Sequence, residues 1–137
     1  MARTVLADTG FLIALLRQRD IHRDWAAARA AEFPPPWHTC EAVIAETFHL
    51  LLPRAGPALA SLLQRQALAV SFDFVEHHEP VLSLMRKYVD VPMAFADACL
   101  VRMTEVFANP VVLTTDSHFR AYRRHSRQVV PCLLPRP

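Results

Sequence analysis

The stretch Arg3–Arg17, RTVLADTGFLIALLR, decides the fold. Residues 3–7 are a short β-branched and aliphatic run, Asp8-Thr9-Gly10 is turn chemistry, and FLIALLR has helical character, so the stretch reads strand, turn, helix. The same alternation continues outward along the chain. Helical stretches are expected near 22–32 (HRDWAAARAAE), 40–52 (CEAVIAETFHLLL), 57–66, 76–88 and 93–107, with a basic helix at 117–125. Short strands fit 37–39, 67–72 (ALAVSF), 111–115 (VVLTT) and 128–133. The run Pro34-Pro35-Pro36 reads as a rigid turn between elements. Short apolar strands between longer helices imply an α/β domain whose mostly parallel sheet is covered on both faces, joined by right-handed crossovers.

With 137 residues, 53% apolar and 20% charged, the chain is long and apolar enough for one domain with one core, spanning 1–137. Gly10 and Gly56 are the only glycines, which excludes a P-loop, a GxGxxG dinucleotide turn and a GxSxG nucleophile elbow. Lys87 is the only lysine, so lysine chemistry has one candidate. The net charge of +2 is too small for a protein that coats nucleic acid, and any such contact must be local. Cys40, Cys99 and Cys132 are odd in number, form no CxxC pair, and fit reduced buried thiols in a cytosol. Without an export signal or a long uncharged apolar run, a cytoplasmic location off the membrane is expected.

Four carboxylates stand out. Asp8 and Asp116 fall where strands end, the place at which parallel α/β sheets bind ligands, although each would also serve as an ordinary helix cap. Glu46 and Asp97 sit on helical faces that are largely apolar: Ala42, Val43, His49 and Leu50 surround the first, and Met93, Ala94, Leu100 and Val101 the second. A carboxylate facing a core needs a base or a cation, and neither helix supplies a nearby base. An arginine from another element would serve, as would a metal. A ligand set made only of oxygen favours Mg²⁺ or Mn²⁺ over zinc. HExxH is absent, because His78-Glu79 is followed by Leu82 where the second histidine would stand. Clustered carboxylates with such a cation suit phosphodiester hydrolysis, with nucleic acid as substrate.

These motifs resemble the PIN domain family, and within it the VapC-type toxin ribonucleases of toxin-antitoxin pairs. LADTGFLIALL resembles the opening strand with the first acid, Asp8, and VIAETFHLL the helix with the second, Glu46. FADACLVRM resembles the helix with the third, Asp97, and LTTDSHFRAY the strand-end motif with the fourth, Asp116. The order and spacing of the four match the family over nearly the whole chain. The resemblance implies a three-layer α/β/α sandwich, a divalent-metal-dependent endoribonuclease, a cognate antitoxin and a homodimer. It implies that Asp8, Asp97 and Asp116 ligate the metal while Glu46 ligates it or orients the attacking water. Some members carry a further acid where this chain has His118, and Asp90 resembles an acid often seen ahead of the third motif, read here as support for the site or as a helix-entry residue. Thr9 and Thr115 flank the strand-end acids as hydrogen-bonding candidates or as turn residues.

After Asp116, the segment HFRAYRRHSR gathers Arg120, Arg123, Arg124 and Arg127, a candidate phosphate-contacting surface or a solvated helix face. Trp25, Phe33 and Phe48 would dock a partner helix or pack the core. Competing readings are a PIN-like domain that only binds RNA or a partner, a phosphotransfer domain using Asp8, and an RNase H-like nuclease. The first is disfavoured because all four acids are present. The second lacks the acid expected at position 10, where Gly10 stands, and the third would open with hairpin strands.

Overall fold

The computed structural model describes residues 2–137. β1 (Thr4–Ala7) leads into α1 (Thr9–Leu16) and α2 (Arg23–Glu32), and β2 (Trp37–Thr39) into α3 (Glu41–Leu51) and α4 (Gly56–Gln64). β3 (Leu68–Val70) precedes α5 (Phe74–Lys87) and α6 (Phe95–Val106), and β4 (Pro110–Leu113) precedes a 3₁₀ turn at Ser117–Arg120. β5 (Arg123–Arg124), β6 (Gln128–Val129) and β7 (Cys132–Leu133) complete the chain.

The main sheet has the order β3-β2-β1-β4-β7 and every pairing in it is parallel. β1 and β4 lie at its centre and are almost wholly buried, which is why TVLA and PVVL read as continuous apolar runs without alternation. The strand order runs one way from β1 to β3 and reverses to β4, and with the right-handed crossovers that parallel strands follow as a rule this puts α1–α4 on one face and α5–α6 on the other of the expected α/β/α sandwich. α1 packs on α2 and α3, α5 on α6, and α3 also meets α6. Phe11 of α1 is fully buried and meets Trp25 of α2 and Trp37 of β2 edge-on, at ring separations of 6.1 and 5.4 Å. Trp25, Phe33 and Phe48 pack against the core, which is the structural one of the two roles open to them.

Two expectations are corrected. Residues 117–125 do not form a basic helix: a single 3₁₀ turn is followed by β5, which pairs antiparallel with β6. His125 and Ser126 take positive φ values of 49° and 70° and turn the chain back, a conformation that a helix excludes and that no glycine advertises here. The single strand expected at 128–133 is two, because Pro131 interrupts it. β6 belongs to the ribbon, and β7 pairs with β4 in the main sheet.

Candidate active site

The chain lays β1, β2 and β3 in one direction, then returns to place β4 on the other side of β1. The carboxyl ends of β1 and β4 therefore flank the point where the strand order reverses, the crevice in which open parallel sheets bind ligands. Asp8 ends β1, and its backbone N–H donates to the Leu113 carbonyl at 3.0 Å. Its carboxylate caps α1 through Oδ1, which accepts the Thr9 N–H at 2.8 Å. The register Ala7↔Leu113 brings Thr114 alongside Asp8, and the Thr114 hydroxyl donates to Asp8 Oδ2 at 2.6 Å. The same hydroxyl accepts the Asp116 N–H at 2.9 Å, so one threonine ties both strand-end acids together.

Asp116 caps the 3₁₀ turn through Oδ1, which accepts the His118 N–H at 2.9 Å and lies 3.0 Å from His118 Nδ1. Asp97 stands in the first turn of α6 and is buried; its Oδ2 accepts the Ala94 N–H at 3.2 Å and the Tyr122 hydroxyl at 3.1 Å. Glu46 lies on α3 near the meeting with α6, close enough for its charge to act on Asp97. Contrary to the apolar-face reading, Glu46 is exposed: only Val43 among its four helical neighbours is fully buried, and His49 and Leu50 face solvent.

Electrostatics unite the four acids. Burial pushes Asp8 up to about 7; hydrogen bonds from Thr114 and Thr9 oppose the rise, and the charges of Asp97 and Asp116 add to it. Asp97 is raised first by burial and then by Asp116 and Glu46, against the hydrogen bonds from Ala94 and Tyr122. The Tyr122 hydroxyl is itself raised by burial and by Asp97, which keeps it a protonated donor. Among the described residues no arginine or lysine pairs with any of the four acids, and His118 beside Asp116 is the one basic side chain within reach of them. The arginine that would have neutralised a core-facing carboxylate is not there.

This donor set fits a hard divalent cation. It is all oxygen, it concentrates negative charge where burial penalises it, and the buried Thr9 hydroxyl beside Asp8 has no partner of its own. Among the described residues no three acidic, histidine or cysteine side chains close into a tight cage. Mg²⁺ does not need one, since it keeps several waters and commonly uses only one or two carboxylates directly.

Other sequence candidates take different places. Asp90 is exposed in the turn after α5, with no hydrogen bond to the acids. Thr115 packs so closely on Gly10 that a Cβ at position 10 would stand 1.9 Å from Thr115 Oγ1. Arg123 donates to the carbonyls of Arg120 and Tyr122, and Arg124 to the carbonyl of Thr104 on α6. Arg120 and Arg127 are exposed. Cys40 and Cys99 are buried and Cys132 is half-buried, all as free thiols. Thr114 is missed by sequence reasoning, and Tyr122 enters it only as part of the segment after Asp116, not as a partner of Asp97. Counting both strands back from their terminal acids would have found Thr114; Tyr122, set among arginines, carries no local signal.

A model of the PIN domain family matches residues 5–125, a span that contains all four acids. No curated protein sequence is significantly similar. Among solved structures, the crystal structure of VapC20 from Mycobacterium tuberculosis, described as a Sarcin-Ricin loop cleaving toxin, superposes with a TM-score of 0.66. The two chains are 22% identical, and the match covers 80% of this chain and 87% of that one. At that identity the likeness speaks for the fold, which agrees with the parallel sheet and its crossovers described above. By the extent of the family match, this chain belongs to the PIN domain family.

Proposed function

We propose that this protein is a divalent-metal-dependent endoribonuclease, using Mg²⁺ or Mn²⁺, and the toxin of a toxin-antitoxin pair. The observation that supports the reading is that Asp8 and Asp116 at the ends of β1 and β4 and Asp97 on α6 lie close together: Asp97 and Asp116 raise the pKa of Asp8, and Asp116 and Glu46 that of Asp97, with no arginine or lysine among the described residues paired to any of them. The similarity to a toxin described as cleaving the Sarcin-Ricin loop supports RNA as the substrate.

In this reading Asp8, Asp97 and Asp116 would hold the cation, directly or through its waters, and Glu46, exposed at the edge of the group, would ligate it or orient the attacking water. A cation bound there supplies Lewis-acid stabilisation of the phosphate and a more acidic water. Thr114 holds the carboxylates of Asp8 and the backbone of Asp116 in fixed relation, so that the donors are set before substrate arrives. Water attacking in line on phosphorus, with the P–O3′ bond breaking and the 3′ oxygen leaving as the hydroxyl, would give a 5′-phosphate and a 3′-hydroxyl, as the family resemblance implies. Arg120, in the 3₁₀ turn, and Arg127, in the turn of the ribbon, contact backbone phosphates, while Arg123 and Arg124 brace the segment between them.

For the antitoxin, a groove of about 910 Å³ at the far end of α1 offers a fitting surface. Its floor includes Leu15, Leu16 and Leu51, its rim carries Arg17, Arg19, Arg23 and Arg54, and no carboxylate lines it. That chemistry complements an acidic amphipathic segment of a partner protein. A homodimer and a cytoplasmic location complete the proposal; among the described residues no helix is long and apolar enough to cross a membrane.

The test is cleavage of a mixed labelled RNA pool by purified protein with Mg²⁺ or Mn²⁺, against EDTA and Asp97→Asn. Cuts lost in both controls establish the nuclease. Folded protein, free of antitoxin, that cuts nothing with either metal moves the reading to an RNA-binding or partner-docking module.

A further inference from the structure

Tyr122 is fully buried, and its ring meets Tyr88 and Phe119 edge-on, each at 5.2 Å. A ring so placed needs no hydroxyl to fill its space. Yet the hydroxyl reaches across from the segment that follows the fourth acid to the helix that carries the third, and donates to Asp97 Oδ2 at 3.1 Å. Oδ2 also accepts the Ala94 N–H at 3.2 Å, so both protein donors fall on one oxygen. Among the described residues, none reaches Oδ1. The donor is itself held from behind, because the Arg123 N–H next to Tyr122 binds the Tyr88 hydroxyl at 2.9 Å.

We propose that Tyr122 is a positioning residue for the cation: by occupying Asp97 Oδ2 it fixes the carboxylate so that Oδ1 is the oxygen offered to the metal. The segment 116–122 thus contributes one acid of its own, Asp116, and sets the angle of another, Asp97. Donors behind metal-ligating carboxylates orient them, and removing one typically weakens metal binding 10- to 100-fold. The proposal rests on the cation-holding reading of the four acids.

Tyr122→Phe keeps the ring and deletes only the hydroxyl. Mn²⁺ titration followed by the signal of the free ion should show about 10- to 100-fold weaker binding by Tyr122→Phe than by the parent. Tyr88→Phe, which keeps both rings and the Tyr122 hydroxyl and loses only the bond to the Arg123 N–H, should weaken binding less than Tyr122→Phe does. Parent-like Mn²⁺ affinity in folded Tyr122→Phe overturns the positioning role and leaves the cation site standing. Absence of Mn²⁺ binding by the parent overturns the cation reading and this inference with it. A second measurement needs no variant at position 122. Tyr88 and Tyr122 are the only tyrosines, so protein labelled with ¹³C at tyrosine Cζ gives two signals, and the one lost in Tyr88→Phe assigns both. Mg²⁺ should shift the Tyr122 signal and leave that of Tyr88 in place; a Tyr122 signal unmoved by saturating Mg²⁺ refutes the role.

Discussion

Replacing Asp8 by Asn should stabilise the metal-free protein in alkaline solution while destroying its activity. In the folded chain Asp8 is raised to about 7 from 3.8, chiefly by burial. Folding therefore favours its protonated form. The stability this carries is present in acid and drains away as pH climbs from the unfolded value through the folded one, levelling off above it. At pH 8 the buried charge costs roughly 4 kcal/mol, and at pH 5 roughly 2 kcal/mol, by linkage between those two values. Asn carries no charge at either pH. It does disturb the Thr114 hydroxyl, which donates to Asp8 Oδ2 and must turn to face an amide, at a cost of about 1–3 kcal/mol that does not vary with pH. The net gain for Asp8→Asn is thus about 1–3 kcal/mol at pH 8 and close to zero at pH 5. Urea unfolding of parent and variant in EDTA at both pH values measures it. Parallel stability curves for the two proteins would refute the claim that Asp8 is a buried charge awaiting a cation. Adding Mg²⁺ should stabilise the parent alone, by mass action on its folded state.

Thr114→Val removes the donor to Asp8 and the acceptor for the Asp116 N–H, costing about 1–3 kcal/mol in thermal unfolding. Because that hydrogen bond lowers the Asp8 pKa, its loss should move the acid limb of the cleavage pH profile to higher pH. Gly10→Ala forces a Cβ to within 1.9 Å of Thr115 Oγ1 and should destabilise the fold by about 1–3 kcal/mol, with cleavage lost as the strand end shifts. Arg120→Ala with Arg127→Ala should weaken RNA binding and flatten its salt dependence without changing unfolding, since both side chains are exposed. Arg124→Ala differs: the Thr104 carbonyl loses its partner, so thermal stability should fall.

Where hydrophobic pattern and local punctuation agree, the sequence is sufficient. RTVLADTGFLIALLR folds as strand, turn and helix, and the central strands are the apolar runs that a covered parallel sheet demands. The basic segment fails for a specific reason. Phe119 and Tyr122 are buried three residues apart, which imitates a helical face, while the turn that folds β5 back onto β6 is made by His125 and Ser126 in positive φ. Nothing in their identity marks that conformation. Glu46 fails differently: the buried stripe of α3 runs through Val43, Thr47 and Leu51, and Glu46 lies beside it on the side that includes the exposed His49 and Leu50.

For the strand-end acids, the choice between helix cap and ligand is false. Asp8 caps α1 with Oδ1, and Asp116 caps the 3₁₀ turn with its own Oδ1. A cap uses one face of a carboxylate and fixes its rotation, which is the preparation a metal ligand needs. Capping alone, however, does not explain why Asp8 is buried next to Asp97 and Asp116, whose charges raise its pKa further. A structural cap would be better served by Ser or Asn, either of which satisfies the helix without placing a charge in the core. Above the raised pKa of Asp8 that charge has no protein cation among the described residues to offset it, and on the proposed reading the caps position the acids while a bound cation would account for their identity.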